Sequence, residues 1–258
     1  MSGSTPKLRL SGLRKAFGSK QVLDGVDLTV DAGHSMVILG GSGSGKSVTI
    51  KCILGLIRPD AGEIEIDGRN LLSMTRRERE AVLDRTGMLF QNGALFDSIP
   101  VWENVCFKLL AQKRITRARA RDKAAEVLAQ VGLAASVGDL TPSELSGGMQ
   151  KRVALARAIA AEPDIIFFDE PTTGLDPIMG AVIDGLIVDC VKKLGATAVS
   201  ITHDMASARR IGDTAAMIHR GRIVWTGPAG TLGHSGNAMV DQFANGEREG
   251  PIQMELRK

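Results

Sequence analysis

The strongest chemical signal in the chain is a run of nine residues, Gly40, Gly41, Ser42, Gly43, Ser44, Gly45, Lys46, Ser47 and Val48. It meets the pattern G-x-x-x-x-G-K-[ST] at every fixed position. The spacing has a chemical reason. Glycines let a backbone wrap a phosphate closely enough for several N–H groups to point inward. A helix starting near Gly45 adds its positive N-terminal end. Lys46 then reaches the β- and γ-phosphates, and the Ser47 hydroxyl is a ligand for Mg²⁺. Ordinary residue usage produces such a match in on the order of one chain in a hundred of this length. The rest of the sequence therefore has to decide.

Two further constellations bear on the same chemistry. Ile165-Ile166-Phe167-Phe168 is an apolar strand pattern ending in Asp169 and Glu170. Beside a phosphate loop, Asp169 falls where a second strand presents a carboxylate to Mg²⁺, through a water. Glu170 falls where a general base polarises an attacking water. Leu145-Ser146-Gly147-Gly148-Met149 precedes a helical pattern carried by Val153, Ala156 and Ile159. Ser146 suits an N-cap, and Gly147 and Gly148 permit close approach of an anion to the helix start. Taken singly, the acidic pair reads as a turn into Pro171 and the glycine pair as an ordinary loop.

The elements that must hold these residues can be outlined from periodicity. Residues 7–30 alternate apolar and polar around Asp24-Gly25, which predicts short strands with a turn signal. Ser35–Leu39 is a short apolar run suited to a buried strand, and residues 46–56 have helical spacing. Glu63–Ile66 with Asp67-Gly68 reads as strand and turn. Residues 103–138 are helical and basic; KRITRARARDK, 113–123, holds six basic residues and one acid. That run reads as a solvated helix face, with contact to a membrane protein or anionic headgroups as the sharper alternative. Helices at 149–161 and 177–194, strands at 165–168 and 198–202, and a late hairpin at Arg220-Gly221 complete the pattern. The expected fold is α/β, a mainly parallel sheet with crossover helices interrupted by a helical insert.

Composition narrows the class. The chain has 258 residues, 43% hydrophobic and 24% charged, and a net charge of 32 − 29 = +3. That suits one large domain with its own core, and the small charge gives no reason to invoke nucleic acid. No Tyr and only 3% aromatic residues argue against base-stacking platforms. No apolar run approaches the roughly 18 residues of a membrane span, and the N-terminal residues lack a signal-peptide core. The expectation is a cytoplasmic chain that cannot cross a bilayer alone. Cys52, Cys106 and Cys190 match neither a disulfide framework nor zinc spacing, so buried thiols are expected.

In sum these motifs resemble the ATP-binding subunit of an ABC transporter, and the likeness covers nearly the whole chain. It rests on the phosphate loop, the LSGGM signature at 145–149, the Asp169-Glu170 strand and their order. The resemblance implies a phosphate-loop core with an N-terminal antiparallel β subdomain. One cassette would span 1–258, with core about 1–92 and 160–235, helical subdomain about 93–159 and tail about 236–258. It matches Gln91 to the Q-loop, Gly174-Leu175-Asp176 to the D-loop, and His203 to the switch histidine. Phe17 falls where the family stacks an aromatic ring on adenine. Singly, Gln91 is a surface amide, His203 a helix cap, Phe17 core and Asp176 an N-cap; the ordered set gives them roles. The implied cofactors are ATP and Mg²⁺, the metal held by Ser47, Gln91 and Asp169. The implied catalytic set is Glu170, His203, Lys46 and Gln91. The implied assembly is a head-to-tail dimer in which Lys46, Ser47 and Asp169 of one copy face Ser146, Gly147 and Gly148 of the other, with Asp176 also in the nucleotide-binding set.

Leu89-Phe90-Gln91-Asn92-Gly93-Ala94-Leu95-Phe96 resembles the LFQxGALF stretch of the Mce-linked lipid-transport ATPases. Asp176–Met179, His203–Met205 and the tail from Gln242 to Ile252 resemble the same branch. The implied partners are a transmembrane permease, an Mce-domain protein and a small STAS-domain protein at the inner membrane, with phospholipid as cargo. An ATPase for another solute, such as an amino acid, and a soluble ABC protein outside transport remain as alternatives.

Overall fold

The chain is described by a computed structural model over residues 5–253. It opens with β1 (Leu8–Phe17), β2 (Lys20–Val30), β3 (Ser35–Leu39), α1 (Lys46–Ile53), β4 (Ala61–Ile66) and β5 (Arg69–Asn70). Then come α2 (Arg76–Leu83), β6 (Thr86–Leu89), α3 (Val101–Ala111), α4 (Arg117–Gln130), α5 (Gly147–Ile159), β7 (Ile165–Asp169) and α6 (Pro177–Leu194). The last elements are β8 (Thr197–Ile201), α7 (Met205–Ile211), β9 (Thr214–His219), β10 (Arg222–Pro228) and α8 (Ala238–Asn245). They form two compact units. One is built from the chain up to Ser73 and from Ser200 onward, the other from Met74–Val199.

In the first unit β1, β2, β4 and β5 make an antiparallel sheet in the order β2-β1-β4-β5. Alternation buries Leu8, Leu10, Leu28, Ile64 and Ile66 on one side. Asp24-Gly25 is not a turn. The chain reverses at Gly18-Ser19, where Phe17 pairs with Lys20, and Asp24-Gly25 lies inside β2 at a shift in register. Gly25, at φ +82°, supplies the bulge, and the Asp24 carboxylate accepts from Arg14 (2.6 Å) and Arg222 (2.6 Å). β3 pairs parallel with β9, which turns at Arg220-Gly221 into antiparallel β10. Met36 to Leu39 are at most 3% exposed, as a parallel strand covered on both faces requires.

In the second unit β6 and β7 pair in parallel, Thr86 opposite Ile165 through Leu89 opposite Phe168. Phe167 and Phe168 are fully buried. A side chain at Gly87 would strike the Ala158 carbonyl, so glycine is what lets β6 lie against the end of α5. α6 starts at Pro177 behind an Asp176 cap and stops at Gly195, φ +61°. The basic run falls largely on α4. Four of its six cations have acidic partners: Arg117 with Glu103, Arg119 with Asp122, Arg121 with Asp139 and Lys123 with Glu162. Arg117 and Arg121 also lie over Trp102, each 4.9 Å from the ring centre. This face is tied up locally, as the solvated-face reading expects.

All three cysteines are buried thiols, and burial pushes Cys52 and Cys106 up to about 11. Among the described residues no helix is long and apolar enough to cross a membrane.

Candidate functional site

The phosphate loop leaves the carboxyl end of β3 and feeds α1. Gly40 has φ +152° and packs so tightly on the Ile218 backbone that no side chain fits. Gly45, the N-cap of α1, has φ +113°, and a Cβ there would sit 2.6 Å from Leu23 Cδ2. Gly41 and Gly43 face open space, and residues 41–43 are exposed. No side chain caps α1, so its first N–H groups are not claimed by a capping residue. Ser44 Oγ is buried without a hydrogen-bond partner. Buried Lys46 donates to the carbonyls of Gly40 (2.7 Å) and Gly41 (3.1 Å), bending its ammonium back over the loop. Ser47 and Val48 are half-buried in the first turn. An uncapped helix start behind a glycine-rich loop, with one buried lysine laid over it, is the chemistry that holds a polyphosphate.

His203 belongs to the same unit. The Thr202 N–H donates to Ile38 O of β3 at 3.4 Å, so His203 emerges, exposed, at the strand end from which the phosphate loop departs. Thr202 Oγ1 accepts from the Asp204 N–H, and Asp204 caps α7 through the N–H groups of Ala206 and Ser207. Phe17 ends β1 with its ring 48% exposed and the Lys15 ammonium 5.5 Å from its centre.

The second unit holds the other candidates. Asp169 ends β7, and Glu170 follows in the left-handed region at φ +51°. That strained turn carries Pro171 and the Thr173 hydroxyl, which donates to Glu170 Oε2 at 3.1 Å. Asp176 caps α6 by accepting from the N–H groups of Ile178 and Met179, each at 3.0 Å. Ser146 caps α5 by accepting from the Met149 N–H at 3.3 Å; the helix therefore starts at Gly147, two residues before the sequence pattern suggested. Gly147 faces open space, whereas a Cβ on Gly148 would meet Met179 Cε at 2.8 Å. Gln91 follows β6 with its side chain exposed. A cleft of about 220 Å³ within this unit is lined by Gln91, Gly147, Lys151, Thr173 and Gly174, bringing the Q-loop, signature and D-loop segments to one place.

Sequence reasoning missed the side chains that hold these segments. Lys151 of α5 donates to the Gln91 carbonyl. Arg157, further along α5, donates to the carbonyls of Gly93 (2.6 Å) and Ala94 (2.7 Å) and lies 5.9 Å from the Phe96 ring centre. Asn104 of α3 is fully buried; it accepts from the Phe96 N–H (2.8 Å) and donates to the carbonyls of Phe96 (3.0 Å) and Ile99 (3.1 Å). A signal existed for Lys151, which shares an i, i+4, i+8 stripe with Leu155 and Ile159 and so falls on a buried helix face.

The description "ABC transporter" applies to a family model that matches residues 23–173, more than half of the chain. The chain belongs to the ABC transporter family. It is an ATP-binding cassette and an ATPase. It is 41% identical over 251 residues to the probable ribonucleotide transport ATP-binding protein mkl of Mycobacterium tuberculosis, covering 97% of this chain and 70% of that one. It is 40% identical over 235 residues to the intermembrane phospholipid transport system ATP-binding protein MlaF of Escherichia coli K12, covering 91% and 87%. Among solved structures it resembles the dimeric post-hydrolysis state of the ATP-binding cassette MJ0796 bound to ADP and Pi. That likeness has a TM-score of 0.78 and 31% identity, over 86% of this chain and 98% of that one.

The metal question turns on donor chemistry. Among the described residues there is no cluster of three or more His, Cys, Asp or Glu able to cage an ion. The residues expected from the sequence, Ser47 of the first unit and Gln91 and Asp169 of the second, each offer a hard oxygen donor. Such a set suits Mg²⁺ carried in on phosphate oxygens and waters, not a caged metal.

Proposed function

We propose that this chain is the ATP-hydrolysing subunit of an intermembrane lipid transporter, working as a peripheral subunit on the cytoplasmic face of the inner membrane. The likeness to MlaF across nearly the whole chain carries the reading, together with the intact phosphate loop. The loop from Gly40 through Val48 and the Lys46 ammonium hold the phosphates of ATP, and Phe17 stacks on the adenine. Ser47, Gln91 and Asp169 hold Mg²⁺, which when bound neutralises charge on the phosphate oxygens. Glu170 takes a proton from the attacking water and His203 responds to the terminal phosphate. Ser146, Gly147, Gly148 and Asp176 serve the nucleotide of a second copy in a head-to-tail dimer; the dimeric MJ0796 cassette with ADP and Pi supports this arrangement.

The permease contact is assigned to an apolar groove of about 400 Å³ in the second unit, lined by Met88, Phe90, Phe96, Phe107 and the stem of Arg157. Three phenylalanines exposed by 36%, 44% and 42% are an unusual surface on so aromatic-poor a chain, and they suit an apolar helix of a membrane subunit. An Mce-domain protein and a STAS-domain protein complete the assembly. The names of the two curated relatives differ in cargo, ribonucleotide against phospholipid. The LFQNGALF stretch and the Gln242–Ile252 tail favour phospholipid. Gentle solubilisation of a tagged chain from its native membranes, with mass spectrometry of proteins and lipids, tests this. Recovery of a permease, an Mce-domain protein and phospholipid is expected. A permease with a soluble-solute receptor removes the lipid cargo, and recovery without any membrane subunit removes the transporter.

A further inference from the structure

Lys151 stands out among the buried cations because it bonds the Gln91 main chain within a cleft that several functional segments line. It lies in the second turn of α5, five residues beyond the Ser146 cap, and is 8% exposed. Its ammonium donates to the Gln91 carbonyl and lines the cleft shared by Gln91, Gly147, Thr173 and Gly174. Thr173 in turn donates to the Glu170 carboxylate at 3.1 Å. A charge at this depth is costly unless it works against fixed partners.

We propose that Lys151 is a positioning residue for ATP hydrolysis: it pins the Gln91 main chain to the start of the signature helix and faces the carboxylate turn at the end of β7. The proposal rests on the roles assigned above to Gln91 and Glu170. Burial pushes the Lys151 ammonium below its usual value, while Asp169 and Glu170 push it back up, so the carboxylate turn lies within electrostatic reach. The consequence is mechanical. Gln91 and the Ser146–Gly148 segment move as one piece with α5, so that engagement of the signature by a second copy is transmitted within this chain to its own Gln91. Lys151 is not among the residues proposed to bind nucleotide, so its substitution should leave nucleotide affinity alone.

The test compares the wild-type chain with Lys151→Met and Lys151→Arg. Titration with a fluorescent ATP analogue, steady-state ATPase kinetics and amide hydrogen exchange over residues 89–95 are read on each. The expected result for Lys151→Met is analogue affinity within about twofold and a kcat lower by about tenfold, the loss of one charge-assisted hydrogen bond. Exchange should be faster at Asn92–Ala94 and unchanged in β3 and β9. Lys151→Arg keeps a cationic donor and should restore most of kcat and protection. Wild-type kcat and exchange in Lys151→Met overturn the proposal, as does faster exchange throughout the chain with no rescue by Arg, which marks a purely structural residue. If the wild-type chain neither binds nor hydrolyses ATP, the nucleotide roles fall, and the exchange pattern still judges Lys151.

Discussion

The phosphate loop and the loop from Gln91 to Pro100 are both short connections that follow a buried parallel strand, yet they are held in opposite ways. The first is shaped mainly by its own backbone, braced by packing on Ile218 and Leu23 and by the Gly221 N–H donating to Ser44 O at 3.2 Å. Glycines at positions 40 and 45 occupy conformations and gaps that no other residue could share, and even Lys46 is satisfied by carbonyls of the same loop. The second is held from outside, by Lys151 and Arg157 of α5 and by Asn104 of α3. A self-contained loop presents a fixed surface to a ligand. A tethered loop moves with the helices that hold it, as the role proposed for Gln91 requires.

Substitutions in the two loops should therefore fail differently. The largest effect is expected for Lys46→Ala. With its ammonium as the proposed phosphate ligand, ATP binding should fall by about a hundredfold or more, while loss of its hydrogen bonds to the Gly40 and Gly41 carbonyls lowers stability by only about 1 kcal/mol, measured by nucleotide titration and thermal unfolding. Unchanged affinity would remove the phosphate-loop assignment. Asn104→Ala should do the reverse. It leaves the Phe96 N–H and the part-buried carbonyls of Phe96 and Ile99 without the Asn104 side chain, which costs about 1–3 kcal/mol in denaturant unfolding, with nucleotide affinity little changed. A loss of affinity with no loss of stability would contradict the contrast.

A smaller effect sharpens the first unit alone. The Arg222 guanidinium, first by its hydrogen bond and then by charge, with a smaller share from Arg14, holds the Asp24 carboxyl below its usual value despite an opposing desolvation. Stability from this pair is complete above the unfolded carboxylate range near about 4 and fades as pH falls through the depressed folded value. Arg222→Leu should lower stability modestly at pH 7 and make acid unfolding between roughly pH 4 and 2 less steep, the two proteins converging once Asp24 is protonated. An unchanged acid limb would show that the bulge at Gly25 stands without the pair.

Legibility in the sequence follows the same division. Features built from backbone requirements leave fixed residue types at fixed spacing, so the phosphate loop, the buried β3 and β7 runs, the Ser146 and Asp176 caps and the Arg220-Gly221 turn could be read directly. Asp24-Gly25 misled because the same dipeptide serves a turn and a bulge, and only the pairing of β1 with β2 distinguishes them. Arg157 and Asn104 were silent, and Lys151 showed only as a cation on a buried helix face, because their partners are main-chain groups, which carry no residue type. The basic run was ambiguous until Glu103, Asp139 and Glu162 were seen to neutralise it.

The central claim is that the phosphate loop and the acid after β7 act in one ATP cycle shared between two copies. Light scattering of purified Glu170→Gln with excess Mg-ATP tests it most directly. The account predicts a stable dimer that retains unhydrolysed ATP and parts when nucleotide is removed; a chain that binds Mg-ATP yet stays monomeric would contradict it.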